Sequence, residues 1–68
     1  MPYAALIEKT EKGFTARVPD LPGCTATAGS LAEAKTEIRN AVRHHLAKLE
    51  RDGLPAPEPS TMVEYIDA

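Results

Sequence analysis

The sequence has few of the residues that staple a small protein or stack on nucleic-acid bases. It contains a single cysteine, Cys24, so no disulfide can form within the chain. It has no tryptophan, and its aromatic residues are Tyr3, Phe14 and Tyr65. No apolar run approaches the roughly 18 residues of a membrane span, and the first eight residues lack the features of a secretory signal. These absences predict a reduced, cytoplasmic protein with no membrane segment.

The length of 68 residues predicts one domain, residues 1–68. Apolar residues make up 43 % of the chain, enough for a folded core rather than a disordered chain. A domain this short buries only about 60 % of the surface that its unfolded chain exposes. Because it also lacks a disulfide, we expect it to gain stability as a homo-oligomer, either a dimer or a tetramer.

The formal net charge is −2, which argues against a strong phosphate-binding surface because nucleic-acid-binding domains are usually basic. The charge is compatible with a basic protein partner. It is equally typical of an ordinary soluble surface, so charge alone does not separate the two interpretations.

Residue patterns predict three short strands in the first half of the chain. Residues 3–9 are mostly apolar on both faces, and residues 10–13 form a polar turn that ends in glycine. Residues 14–18 and 24–28 alternate apolar with polar side chains, as half-buried strands do. Between them lies a turn-rich loop, Pro19-Asp20-Leu21-Pro22-Gly23.

A helix follows from residue 31 to residue 52. Ser30 is a strong N-cap residue, Glu33 completes a capping box, and Gly53 suits the position after the helix. Eight residues share one helical face at about 100° per residue: Leu31, Ala34, Ile38, Ala41, Val42, His45, Leu46 and Leu49. Three prolines then follow at alternate positions and favour an extended connector. Residues 62–66 are predicted to form a last strand.

The fold class is therefore α+β, a single β-β-β-α-β domain. One helix packs on a four-stranded mixed sheet of order 3-2-1-4, with strand four parallel to strand one after a right-handed crossover. The opposite sheet face would stay open. We expect apolar side chains such as Leu6 there to contact another subunit.

Few residues could carry chemistry. Cys24 could form a nucleophile pair with His44 or His45. However, Cys24 begins a predicted strand of small residues, where a cysteine is more often a buried core residue. The two histidines are adjacent, so they point about 100° apart and cannot share a metal ion. Carboxylates are available at Glu8, Asp20, Glu33 and Glu37, but their positions in the sequence do not predict that they meet at one point. We predict a non-enzymatic protein with no catalytic, metal or cofactor site.

The one basic stripe consists of Lys35, Arg39 and Arg43, at i, i+4 spacing on one flank of the helix. These residues are the candidate contacts for a partner protein or for nucleic acid. They lack the neighbouring aromatic residues on which single-strand binders stack bases, so a solvated helix flank is the simpler interpretation.

Several segments together resemble the HicB-like antitoxin family. They are Ile7-Glu8-Lys9, Gly13-Phe14, Val18-Pro19-Asp20-Leu21-Pro22-Gly23-Cys24, Gly29-Ser30-Leu31-Ala32-Glu33-Ala34 and the stretch from Asp52-Gly53-Leu54-Pro55 to Pro57-Glu58-Pro59. The resemblance spans nearly the whole chain. Its most specific part is the Pro-Asp-Leu-Pro-Gly-Cys loop, followed about six residues later by the helix start.

The resemblance implies a partial ribonuclease-H-like fold that lacks the nuclease's acidic centre. It also implies an antitoxin that binds a HicA-type toxin, a small basic ribonuclease that cleaves mRNA. Longer members of the family add a C-terminal DNA-binding domain, whereas this sequence resembles a short, stand-alone form, so direct DNA binding is not expected. The alternative is an orphan HicB-like oligomeric domain that acts as a nucleic-acid-binding or regulatory module.

The loop residues Pro19, Asp20, Leu21, Pro22, Gly23 and Cys24 have a structural interpretation beside the family one. The two prolines stiffen the turn, and Gly23 is expected to adopt an unusual φ angle. We therefore expect this loop to shape the fold rather than to bind a partner.

Overall fold

A computed structural model describes residues 2–68, which fold as three strands followed by one long helix. The strands are β1 (Leu6–Thr10), β2 (Gly13–Arg17) and β3 (Thr25–Ala28), and the helix is α1 (Leu31–Arg51). The α+β class and the order of these four elements agree with the sequence prediction. The first strand begins later than predicted, at Leu6, because residues 3–5 have no ladder partner.

The sheet is antiparallel throughout, with β2 at its centre and the order β1-β2-β3. A tight hairpin joins β1 to β2, since Thr10 pairs with Gly13 across Glu11 and Lys12. Gly13 has a φ of +144°, and a Cβ atom there would collide with the carbonyl oxygen of Ala28. Glycine is therefore required where the hairpin meets β3.

The two faces of the sheet differ in polarity. Ile7, Ala16 and Ala26 are paired across the strands and turn toward the helix, where Ala16 is buried. The opposite face is mainly polar and carries Glu8, Thr15, Arg17, Thr25 and Thr27 beside Leu6. The expectation of an apolar open face is therefore wrong apart from Leu6, because the alternation places threonines where a second layer would need apolar residues.

Helix α1 is capped at both ends by the residues that the sequence predicts, Ser30 and Gly53, although the Glu33 side chain makes no return bond to Ser30. Ser30 has an extended backbone, and its hydroxyl accepts a hydrogen bond from the Glu33 N–H at 3.1 Å. At the other end, Gly53 has a φ of +69° and donates to the Glu50 carbonyl, while Leu54 donates to the Leu49 carbonyl. These two bonds form a Schellman motif, which satisfies the last carbonyls of the helix.

The helix packs over β3 and β2 rather than over β1. Ala34 and Ile38 are buried in this contact, and Ala41, Val42 and Leu46 pack at its border. Leu31 is exposed, contrary to its place in the predicted apolar stripe. A 21-residue helix is about 31 Å long and a five-residue strand only about 17 Å, so the helix is longer than the strands that it covers.

The predicted fourth strand is absent from the described part of the chain. Residues 62–66 have no regular secondary structure, and the sheet has three strands instead of four in the order 3-2-1-4. The position of the helix explains this result. A strand added beyond β1 would lie outside the area that α1 covers, so this chain alone would bury little of its apolar surface.

Among residues 2–68, the one long helix is too polar to cross a membrane.

Candidate functional site

A mostly apolar groove lies between β1 and α1, and we call it the β1–α1 groove. Apolar side chains form its floor and walls, and it encloses about 370 Å³. The apolar lining residues are Tyr3, Ala5, Ile7, Val18, Ile38 and Val42. The groove exists because α1 lies over β2 and β3, which leaves the helix-facing side of β1 only partly covered.

The three basic residues singled out in the sequence lie on one border of this groove. Lys35, Arg39 and Arg43 are all exposed and line it from the helix side. Their i, i+4 spacing places them one above the other on the helix surface. The structure thus brings together a cationic edge and an apolar floor, a pairing that sequence periodicity alone could not reveal because the floor comes largely from the strands.

The loop from Pro19 to Cys24 is a tightly bonded turn. The Val18 N–H donates to the Cys24 carbonyl at 3.1 Å, and the Leu21 N–H donates to the Val18 carbonyl at 3.0 Å. Gly23 has a φ of +84°, which is the unusual angle expected from the sequence. Leu21 is 0 % exposed, so the loop sends the largest fully buried side chain of the described residues into the core.

Asp20 forms a contact that sequence reasoning did not find, which we call the Asp20 clasp. One carboxylate oxygen accepts from the backbone N–H groups of Ser60 and Thr61 at 2.9 and 3.0 Å. The other accepts from the hydroxyls of the same residues at 3.0 and 2.7 Å. Only the presence of a carboxylate between two prolines could have signalled it, because its partners lie 40 and 41 residues away.

The clasp changes the acidity of Asp20. The backbone hydrogen bond from Thr61, with those from the Thr61 hydroxyl and from Ser60, lowers the pKa of Asp20 from 3.8 to about 2. These donors stabilise the charged carboxylate more than the neutral acid. Asp20 therefore stays ionised at any physiological pH and holds residues 60–61 against the β2–β3 loop.

The possible cysteine–histidine pair lies at a shallow depression between β3 and α1. Cys24, His44 and His45 line it together with Lys48. Cys24 is buried, and desolvation raises the pKa of its thiol, which disfavours the thiolate that a nucleophile requires. His44 is exposed and His45 is half-buried. This environment is typical of a core thiol.

The carboxylates do not converge on a common point. Glu8 lies on the open face of the sheet, Glu33 and Glu37 are exposed on the helix, and Asp20 is engaged by Ser60 and Thr61. Within residues 2–68, no group of three or more histidine, cysteine or acidic side chains is placed to hold a metal ion. The β1–α1 groove is therefore the best candidate site.

Comparison with known proteins identifies relatives of this chain. The family model described as the HicB-like antitoxin of bacterial toxin–antitoxin systems matches residues 3–68. An uncharacterised 14.9 kDa protein of Haemophilus phage HP1 is 31 % identical over 67 residues, which cover 98 % of this chain and 50 % of the phage protein. A UPF0150 protein of Helicobacter pylori is 44 % identical over 50 residues, covering 74 % of this chain and 69 % of that protein.

A solved structure, titled "HicA3 and HicB3 toxin-antitoxin complex", contains a similar chain. The match has a TM-score of 0.73 and 30 % sequence identity, and it covers 88 % of this chain and 70 % of the solved one. This chain spans about half the length of the phage relative. The family model covers nearly all of this chain and the solved structure shares its fold, so the chain belongs to the HicB-like antitoxin family.

Proposed function

We propose that this chain is a non-enzymatic binding module that binds and inhibits a HicA-type toxin, a small basic ribonuclease that cleaves mRNA. The observation that carries the proposal is the likeness in both fold and sequence to a chain of a HicA–HicB complex, at a TM-score of 0.73. We expect the module to act in the cytoplasm, where an mRNA-cleaving toxin would have its substrate.

The chemistry of the chain supports a protein-binding role. The net charge of −2 favours association with a basic protein over association with phosphate. The resemblance also implies a partial ribonuclease-H-like fold without the acidic catalytic centre. The scattered positions of Glu8, Glu33 and Glu37 are compatible with that description.

The test pairs the purified chain with the HicA-type protein encoded nearest to its gene. Cleavage of a defined mRNA is followed while the chain is added in increasing amounts. We expect cleavage to fall to background near an equimolar ratio, and the two proteins to co-elute as one complex. Undiminished cleavage at a large excess of the chain, with no complex, would refute the proposal.

A second candidate function is a nucleic-acid-binding regulatory module. It is favoured by the exposed row of Lys35, Arg39 and Arg43. It predicts binding of the isolated chain to RNA or DNA that weakens steeply as salt rises. Changing Arg39 and Arg43 to alanine should then abolish binding, whereas the same change at the exposed hairpin residues Lys9 and Lys12 should not. No binding at low salt would remove this candidate.

A further inference from the structure

We propose that residues 62–67, which we call the end segment, form the surface through which this chain contacts a small basic protein. That protein is the toxin of the proposed function. The contact rests on the proposed function and adds to it the part of the chain that meets the toxin.

The end segment exposes large apolar side chains. Met62 is 92 % exposed, Tyr65 is 90 % exposed and Ile66 is 78 % exposed. Large apolar side chains so close together and so exposed mark a contact site on a protein surface. Tyrosine and methionine are also enriched where proteins meet, because each offers a large contact area. The end segment therefore has the composition of an interface that is uncovered in the chain alone.

The charge of the chain is divided unevenly along its length. All eight lysine and arginine residues lie before position 52, together with six of the ten acidic residues. Residues 1–51 therefore have a formal charge of +2, and residues 52–68 have a formal charge of −4 without any histidine. The modest net charge of the whole chain conceals an acidic end joined to a mildly basic body.

This division of charge selects the chemistry of the partner. The end segment carries Glu64 and Asp67 among its apolar side chains and has no cation. Such a surface attracts a basic protein and repels the phosphates of a nucleic acid. The basic row of Lys35, Arg39 and Arg43 would instead repel a basic partner. The end segment is thus the part of the chain that suits a basic toxin.

The chain that leads to the end segment is anchored at three points. The Leu54 N–H donates to the Leu49 carbonyl at the end of α1, and the Tyr3 hydroxyl donates to the Pro57 carbonyl. The Asp20 clasp then holds residues 60–61. Prolines at alternate positions stiffen the backbone between these anchors. Only the residues after the clasp need to become ordered on binding, which limits the entropy that the contact must overcome.

The first test measures binding of the chain to the immobilised HicA-type protein encoded nearest to its gene. The variant Glu64→Lys, Asp67→Lys is compared with Glu11→Lys, Glu37→Lys, which reverses two exposed acids elsewhere. Both variants change the net charge by the same amount. We expect the first to weaken binding tenfold or more, mainly through slower association, and the second to weaken it less than threefold.

The second test removes the exposed apolar side chains. Tyr65→Ser, Ile66→Ser should weaken binding tenfold or more, mainly through faster dissociation, because an exposed tyrosine and isoleucine would be buried in the complex. The control Leu54→Ser also changes an exposed apolar residue, outside the end segment, and should leave binding unchanged. Far-UV circular dichroism shows that each variant is folded.

The third measurement locates the contact directly by amide hydrogen exchange. The end segment has no regular secondary structure, so its amides should exchange rapidly in the free chain. In the complex with the unmodified toxin their exchange should slow at least tenfold. The hairpin residues Glu11 and Lys12, which lie outside the proposed contact, should exchange at the same rate in both states.

The possible failures separate this proposal from the proposed function. If the unmodified chain does not bind the toxin, both are overturned. If the chain binds and inhibits the toxin but the end-segment variants bind as well as their controls, the proposed function stands and the end segment is not the contact. Equal weakening by the two charge variants, or end-segment amides that exchange as fast in the complex as in the free chain, would also overturn the contact alone.

Discussion

Replacing Leu21 with alanine tests whether the loop between β2 and β3 is part of the core. Leu21 is 0 % exposed and packs in the cluster that contains Val18, Cys24 and Ile38. Truncating a fully buried leucine to alanine costs about 2–5 kcal/mol, from lost burial and the cavity left behind. A domain of 68 residues has a total unfolding free energy of roughly 3–10 kcal/mol. We therefore expect a loss of about 3 kcal/mol, a large fraction of the total.

The assay is urea unfolding followed by circular dichroism, with Leu54→Ala as the matched control. Leu54 is 54 % exposed, so its truncation should cost less than about 1 kcal/mol. With a denaturant slope of about 1 kcal/mol per M, the Leu21 variant should unfold about 3 M earlier or be unfolded without urea. Equal midpoints for the two variants, with unchanged slopes, would refute a core role for the loop. Both are compared at one protein concentration, so that any self-association contributes equally to the two midpoints.

Three further predictions concern the hairpin, the Asp20 clasp and the thiol. Gly13→Ala should lower the unfolding free energy by about 2 kcal/mol or more, because its Cβ would collide with the Ala28 carbonyl. The control Gly29→Ala should be tolerated, because a Cβ there meets open space. Equal urea midpoints for the two variants would contradict this prediction. Asp20→Asn should destabilise the chain at neutral pH. The folded pKa of Asp20 is lowered, so the contribution of its carboxylate to the unfolding free energy is full above about pH 4 and is lost as pH falls toward 2. The difference in unfolding free energy between the unmodified chain and the Asp20→Asn variant should therefore close over that range. A difference that stays constant with pH would count against the clasp. Cys24 should react slowly with a thiol reagent in the folded chain and rapidly in urea, because it is buried and its pKa is raised; equal rates would place the thiol at the surface.

Local signals in the sequence predicted most of the fold. Ser30 and Gly53 marked the ends of the helix because capping depends on residues within one turn. Glycine at position 13 and the alternation in residues 14–18 predicted the hairpin for the same reason. Such signals do not depend on where the rest of the chain lies.

The failures concern contacts between distant segments. The fourth strand was predicted from the composition of residues 62–66, but pairing depends on whether the helix covers the space beyond β1. Leu31 fits the apolar period, but it is the first residue of the helix and is 45 % exposed. Asp20 was considered only as a surface acid, since nothing near it in the sequence indicates that Ser60 and Thr61 are its partners.

The candidate site was predicted in part. The basic row of Lys35, Arg39 and Arg43 follows from helical spacing, and the structure places all three on one border of the groove. The groove itself depends on the lateral position of α1 on the sheet. That position is set by how Ala34 and Ile38 pack against β2 and β3, which periodicity does not determine.

The Asp20 clasp has a consequence for the order in which the chain folds. The hairpin and the helix close over a few residues each, whereas the clasp must join residues 40 and 41 positions apart. Contacts between distant residues cost more chain entropy and form after local ones. The segment that follows Thr61 therefore acquires a fixed starting point only when the loop at Asp20 is in place. A copy in which the β2–β3 loop has not yet formed would leave residues 62–67 without that anchor.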